Sequence, residues 1–353
     1  MKLRTGVQAR LGALAGLLII ASACQSRTLS SPPLGEDAPY PGEDEDIAES
    51  VKIIDGMQAH TAETERSKSF FRGAHAKGIG CVDGLLTPIK DRAEETKVGA
   101  FANFKSYQVF GRFSNASPGI EDDAKTEPRG FAFHIRDVPG KKLFVRDGNS
   151  HDMDLSMVNL PAFPAASVAD YNTFLTSRAW YAFTHLFTVL RIRGMVPKDV
   201  KTVLDQRYFS SGAIKWGEKA AKLALKPCAL PVKSFLTDVL REQDEKNFLA
   251  SELRSHLETQ AACFELGVQL QRDPVKQPVE DLTVVWDEAE TPFLPIARLE
   301  IPKQKVDNPR TIGSKCETAS FNPWRTIADH RPLGALNRAR LKVYEASALA
   351  RKK

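Results

Sequence analysis

Near the end of the chain, Arg340, Tyr344, Ser347 and Arg351 are spaced four, three and four residues apart. In a helix that spacing puts all four on one face. Residues 335–351 are rich in Ala, Leu and Arg and follow Pro332-Leu333-Gly334, so they read as a helix of about five turns. A phenol with one guanidinium a turn before it and another two turns after it on the same face sits in positive charge, which favours its ionised form. From spacing alone the blander reading, a solvated basic helix with a packing tyrosine, remains open. A second group with chemical potential is His75, in the run Arg72-Gly73-Ala74-His75-Ala76-Lys77-Gly78. An imidazole can accept and return a proton near neutral pH. His60, His134, His151, His185, His256 and His330 carry no partner signal and are expected to be structural or exposed.

The elements that must position these groups are mixed. Phe101–Ser114 has partial alternation and many aromatics. Gly130–Arg136 and Lys142–Arg146 are short β-like runs with Val138-Pro139-Gly140 between them, and Leu282–Trp286 and Pro295–Ile301 read as later strands. Residues 163–225 and 232–272 read as mostly helical. There is no phosphate-binding glycine loop, no G-x-G-x-x-G and no G-x-S-x-G, so nucleotide-binding and serine-hydrolase readings lack their main signals.

The chain has 353 residues, 42% hydrophobic and 26% charged, enough to bury a core. A formal net charge of +5 is too balanced to read as a nucleic-acid binder. Residues 1–23 resemble an export leader: Lys2, Arg4 and Arg10 precede an uncharged apolar run from Leu11 to Ala23, shorter than the ~20 residues that span a bilayer. Ala21-Ser22-Ala23-Cys24 resembles the lipidation box of bacterial lipoproteins, with Cys24 as the lipidated residue and Gln25 favouring an outer-membrane destination. Cleavage without lipidation, giving a soluble periplasmic protein, is the alternative. Residues 24–50 read as an acidic, Pro-rich tether, because 31–50 hold four prolines, seven acidic residues and no basic ones. Residues 1–50 carry four basic and seven acidic side chains, a net −3, which leaves 51–353 near +8, a balance that suits an anionic ligand. Cys81, Cys228, Cys263 and Cys316 show no C-x-x-C, which argues against a zinc ribbon. In an oxidising compartment they permit two disulfides in any of three pairings, and buried free thiols are equally open.

Short motifs then fall in a familiar order. Arg72 to Gly78 resembles the R-x-x-H-A-K-G signature around the distal histidine of heme catalases. Arg112-Phe113-Ser114, Pro128-Arg129-Gly130-Phe131-Ala132, Asn159-Leu160-Pro161-Ala162-Phe163 and Ser320-Phe321-Asn322-Pro323 are similar to further catalase segments. Arg340 to Tyr344, with Arg351 seven residues on, resembles the R-x-x-x-Y-x-x-x-x-x-x-R stretch whose tyrosine is the axial heme ligand. The likeness covers roughly 65–175 and 280–351, and the small catalase-related heme proteins are the nearest kin it suggests. It implies an α+β fold: a closed antiparallel β-barrel with helices packed outside and a C-terminal proximal helix, in one domain over 51–353.

The resemblance implies heme b as cofactor and hydrogen peroxide or an organic hydroperoxide as substrate. Tyr344 would ligate iron, with Arg340 supplying positive charge beside the phenolate. His75 would exchange protons with the peroxide. Arg72, Arg112 and Arg351 would hold the propionates, Ser114 would orient His75, and Tyr171 would stack on the macrocycle. Catalases carry two adjacent asparagines beyond the heme, the first of them catalytic. A gapless match puts Val158 at the first position and Asn159 at the second. Asn159 is the catalytic candidate if the register slips by one. If it does not, dismutation weakens and peroxidase-type reduction is favoured. A non-catalytic heme or hydrophobic-ligand carrier and a fatty-acid hydroperoxide isomerase of the allene oxide synthase type are the rival functions. The extra C-terminal domains of large catalases have no counterpart here, so a more open pocket and a lower oligomer are expected.

Overall fold

The computed structural model describes Leu29 and residues 31–67, 71–145, 151–228, 236–307 and 314–351. The leader and Cys24 lie outside the described residues. The chain runs α1 (Glu43–Thr64), β1 (Gly78–Pro88), β2 (Tyr107–Asn115), β3 (Arg129–Ile135), β4 (Met153–Val158), α2 (Val168–Thr176), α3 (Arg178–Thr184), α4 (Leu186–Met195) and β5 (Tyr208–Phe209). It continues with β6 (Ile214–Trp216), β7 (Lys219–Pro227), α5 (Leu236–Gln243), α6 (Phe248–Thr259), β8 (Ala262–Leu270), β9 (Leu294–Ile301), α7 (Lys315–Thr318) and α8 (Ala335–Ala350).

Every strand pairing is antiparallel. The order β5-β4-β3-β2-β1-β9-β8-β7 closes on itself through β5–β7, giving an eight-stranded barrel; β6 adds a short hairpin to β7. The expected closed antiparallel barrel is therefore present. Closure removes the sheet edges. Alternation along the strands decides what fills it. Phe113, Phe131, Phe133, Tyr208 and Phe264 are fully buried inside, with the Phe113 and Phe131 rings stacked at 4.0 Å. Each buried aromatic stabilises the fold by roughly 1.5–3 kcal/mol through removal from water. The alternate residues of the same strands, Arg112, Ser114, Gly130, Ala132, Ser156 and Val158, face outward into the cavity described below.

Strands β2, β3 and β9 and helix α8 lie where the sequence places them. Four readings are corrected. Residues 208–227 and 262–270, taken as parts of helical stretches, are strands; β7 reads KAAKLALKP, helix-favouring in composition, but barrel closure requires it extended. Leu282–Trp286 forms no strand: Leu282 and Trp286 are buried in a turn pinned by Asp281 Oδ1, which accepts from the Thr283 backbone and hydroxyl. Lys142–Val145 forms none either, and Lys142 Nζ instead donates to the carbonyls of Val138 and Gly140.

The fourth correction concerns the tether. Residues 31–50 pack on the body: α1 starts at Glu43, inside the stretch read as a leash, and buries Ile47 and Ser50. Composition alone misled because the partner charges lie far away in sequence. Asp37 pairs with Arg331 at 2.8 Å and Arg338 at 2.6 Å, and Glu43 meets Arg338 at 2.5 Å. The cysteines form Cys81–Cys316 and Cys228–Cys263, with Cα separations of 5.6 and 5.4 Å, so the free-thiol reading falls.

Helix α8 lies across α1, outside the barrel. Gly334 precedes it at φ 89°, and a Cβ there would stand 2.6 Å from the Val279 carbonyl oxygen, so only glycine fits. The helix N-terminus is closed by Glu280, which accepts from the Ala335 backbone at 2.8 Å, a carboxylate placed against the positive end of the helix dipole.

Candidate active site

Between the outer surface of the barrel and helices α1, α2 and α8 lies a cavity of about 1300 Å³ of empty space, its open mouth included, of which about 200 Å³ admits the centre of a water-sized molecule. Its barrel wall is built in rows by strand register. One row runs Ser114, Gly130, Val158 and the next runs Arg112, Ala132, Ser156, each set directly cross-strand. The opposite wall is α8, which presents Arg340, Tyr344, Ser347 and Arg351, the face read from their spacing. Tyr171 of α2 and Phe163 flank it with rings 4.9 Å apart.

His75 precedes β1 and adopts a left-handed backbone, φ 56°, rare for a residue with a Cβ and costing about 1–3 kcal/mol. Neighbours hold it there. Its N–H donates to the Ala116 carbonyl at 3.1 Å, and its carbonyl accepts from Arg112 Nη1 at 3.0 Å. Its ring Nδ1 is hydrogen-bonded to Ser114 Oγ at 3.1 Å, as anticipated for Ser114. Nε2 makes no hydrogen bond among the described residues. The ring lies close against Gly130: a Cβ there would fall 2.5 Å from Nδ1. The glycine of the P-R-G-F-A run thus has a local reason, to make room for the imidazole. Burial first, then the charges of Arg112 and Arg340, pull the His75 pKa down to about 4, so the imidazole is neutral at pH 7 and able to accept a proton.

Tyr344 lines the cavity, and its hydroxyl has no hydrogen-bond partner among the described residues. Burial, and next the Tyr344 oxygen, push Tyr171 up to about 12, so Tyr171 stays a neutral phenol. Arg340 donates to Asn337 Oδ1 at 2.9 Å and lies over the Phe163 ring at 5.9 Å.

The cations are crowded. Arg72 and Arg112 share Glu317, at 3.0 and 3.2 Å. Among the described residues Arg351 has only a long 3.5 Å hydrogen bond, to Ser347 Oγ. No Asp or Glu is among the described residues lining the cavity. Burial first and then Arg112 and Arg351 hold the Arg72 pKa well below its usual value; burial likewise lowers Arg112, and burial with the charge of Arg112 brings Arg351 down to about 10. Arg112 Nε is buried without a partner.

Asn159 is a correction. It does not line the cavity; its Oδ1 accepts from the Arg129 backbone at 2.6 Å and its Nδ2 donates to Gln206 at 3.0 Å. Strand parity explains this. Val158 is the outward residue ending β4, opposite Gly130, and the next residue points elsewhere. The residue facing the cavity is apolar Val158. The other eight residues named from the sequence, His75, Ser114, Arg72, Arg112, Arg340, Tyr344, Arg351 and Tyr171, converge here. Sequence reasoning missed Glu317. Its only signal is its place beside Cys316, whose disulfide to β1 fixes α7 against the barrel. It also missed the structural cluster in which His134 Nδ1 lies 2.6 Å from Asp154, itself paired with Arg325 at 2.8 Å.

Comparison with known proteins finds no matching family profile and no matching curated sequence. Solved structures do match. A fungal catalase is 18% identical with TM-score 0.60 over 92% of this chain and 66% of its own. Catalase A from Saccharomyces cerevisiae is 17% identical with TM-score 0.59, over 92% of this chain and 68% of its own. A bacterial catalase is 17% identical with TM-score 0.63, over 99% of this chain and 67% of its own. The chain thus spans about two thirds of their length. Barrel, outer helices and structural neighbours together show that this chain has a catalase-like fold.

Proposed function

We propose that the protein binds heme b in this cavity and cleaves peroxides. The observation that carries the reading is the opposition, across one cavity, of an uncommitted Tyr344 hydroxyl and a neutral His75 with a free Nε2, ringed by four arginines of which two share a single carboxylate, Glu317, with no Asp or Glu among the described residues of the lining itself. The residues present fit a flat apolar dianion. Arg72, Arg112 and Arg351 would hold two propionates, and the unpaired Arg112 Nε adds a donor. Phe163, Tyr171 and Val343 supply apolar contact, and Tyr344 would be the protein ligand to iron.

When bound, heme supplies the redox-active iron at which an O–O bond is broken. The chain's own groups handle position and protons. His75 Nε2 takes the proton from the first peroxide oxygen and returns it to the departing one, which leaves as water or alcohol. Ser114 and the Gly130 face hold the ring for that transfer. Val158 offers no hydrogen bond to a peroxide oxygen, which favours reduction of hydroperoxides over dismutation of hydrogen peroxide. The same apolar wall favours a second reading, heme binding without turnover.

Turnover of hydrogen peroxide and of tert-butyl hydroperoxide by the heme-loaded protein, each with a phenolic electron donor present to supply the two electrons and two protons that hydroperoxide reduction to alcohol and water consumes, decides between them. The enzyme reading expects faster turnover of the organic substrate and at least a hundredfold loss in His75→Ala, consistent with the 10²–10⁴-fold typical of a proton-transfer group. Turnover no faster than free heme, unchanged in His75→Ala, selects the carrier. The leader and Ala21-Ser22-Ala23-Cys24 support an exported, lipid-anchored form; a mature chain without an acyl mass increment at Cys24 would refute the anchor.

A further inference from the structure

We propose that the α3–α4 face docks on the surface of an anionic lipid bilayer. Thirteen large hydrophobic side chains are exposed among the described residues, and five of them fall within eleven positions of this short stretch: Trp180 57%, Phe183 78%, Leu186 50%, Phe187 86% and Leu190 56%. Their spacing of three and four keeps them on one side of the helices, and the Trp180 and Phe183 rings lie 5.9 Å apart. The other side is anchored: Tyr181 is buried with its hydroxyl donating to the Pro164 carbonyl at 2.6 Å, and Ile192 packs with Leu160 and Ala162. The apolar side chains therefore face outward from a fixed support.

Charge selects the partner. From Tyr171 to Lys198 there is no Asp or Glu, while Arg178, Arg191, Arg193 and Lys198 are exposed. Arg191 donates to the Thr283 carbonyl and Arg178 lies over the Phe174 ring, but Arg193 and Lys198 have no partner among the described residues. A Trp/Phe/Leu ridge bordered by cations is the composition of a helix lying at a membrane interface, where aromatic rings enter the headgroup layer and cations meet anionic lipid. A two-fold contact with a second copy would set these cations against themselves with no carboxylate in the stretch to answer them. The support backs directly on the cavity wall, Tyr181 against Phe174 at 5.5 Å and Phe174 against Tyr171 at 6.2 Å. Docking would set the cavity next to the bilayer. The proposal is independent of a lipid on Cys24 and of heme.

Trp180 reports on the contact, because Trp216 and Trp286 are buried and Trp324 is partly buried with its indole N–H donating to the Asn337 carbonyl. The full chain is mixed with vesicles of phosphatidylcholine alone or with phosphatidylglycerol, and tryptophan emission is followed with and without brominated lipid. Expected are a blue shift and bromolipid quenching with the phosphatidylglycerol vesicles, weakened by high salt and absent in Trp180→Phe. Phe183→Ser/Phe187→Ser should bind at least ~tenfold more weakly, since two rings no longer leave water for the lipid, at an unchanged Tm. Unshifted emission would overturn the proposal, including the case in which the leader alone binds the vesicles and leaves Trp180 unquenched. A Trp180 contribution, taken as the difference from Trp180→Phe, that is already blue-shifted without lipid would also overturn it: concentration dependence would assign the face to a second copy, and its absence to another segment of this chain.

Discussion

At the N-terminal end of α8, Arg338 meets three carboxylates, Asp37 at 2.6 Å, Glu43 at 2.5 Å and Glu280 at 3.0 Å. Along its cavity face the same helix brings Arg340 and Arg351 into the cavity lined by Arg72 and Arg112, which share one carboxylate, Glu317. The charges respond in opposite ways. Burial alone would lower Arg338, but its hydrogen bonds to Glu43 and Glu280 raise it above its usual value, and Arg331 and Arg338 outweigh burial to hold Asp37 low. In the cavity, burial depresses Arg72, Arg112 and Arg351. A saturated cluster is a structural lock, since each charge already has its partner. An under-neutralised buried cluster is unfavourable until an anion enters.

The largest test is at the lock. Arg338→Leu leaves Glu43 and Glu280 without their cation and Asp37 with Arg331 alone, and should cost about 3–5 kcal/mol in urea unfolding; a cost under about 1 kcal/mol would remove the distinction between the two clusters. Acid comes next, because it reaches the two regions in different windows. His75 is held near 4, below the ordinary 6.5, so the unfolded chain binds the extra proton first; stability should fall by roughly 1 kcal/mol per pH unit between pH 6.5 and about 4. Asp37 is depressed below 3.8, so its contribution is intact above that value and is lost as pH falls through the lower folded one. Buried His330 is also held near 4 and shares this window, so His75→Gln should make the upper limb of the heme-free protein's stability profile shallower without abolishing it, and leave the lower limb unchanged.

Arg351→Leu is the mirror of Arg338→Leu. It should change heme-free stability by no more than about 1 kcal/mol, yet weaken heme uptake by tenfold or more, the equivalent of roughly 1.5–3 kcal/mol for a charge-assisted contact. A stability loss matching Arg338→Leu would make both clusters structural. The smallest effect is local: Gly130→Ala pushes a methyl against the His75 ring, and should lower peroxide turnover about tenfold with heme affinity unchanged.

The parts visible in the sequence were those governed by short range. The four, three, four spacing put Arg340, Tyr344 and Arg351 on one face of α8, and the short motifs before β1 and on β2 pointed to Arg72, His75, Arg112 and Ser114, all of which line the same cavity. What depended on long range was hidden. Strand β7 reads as helix because Ala, Leu and Lys favour helices, and only closure of the barrel makes it extended. Residues 31–50 read as a leash because Arg331 and Arg338, which neutralise Asp37, lie nearly 300 positions away. The choice between Val158 and Asn159 turned on a single residue of strand parity, which no motif match resolves.

The central claim is that the arginine-rich face of α8 is reserved for a heme ligated by Tyr344. Titration of the protein with heme, followed by its Soret band, tests this most directly. The account predicts saturation at one heme per chain, with a high-spin phenolate-type spectrum that changes in Tyr344→Phe. No saturable Soret band, or one whose position and affinity are the same in Tyr344→Phe, would contradict it.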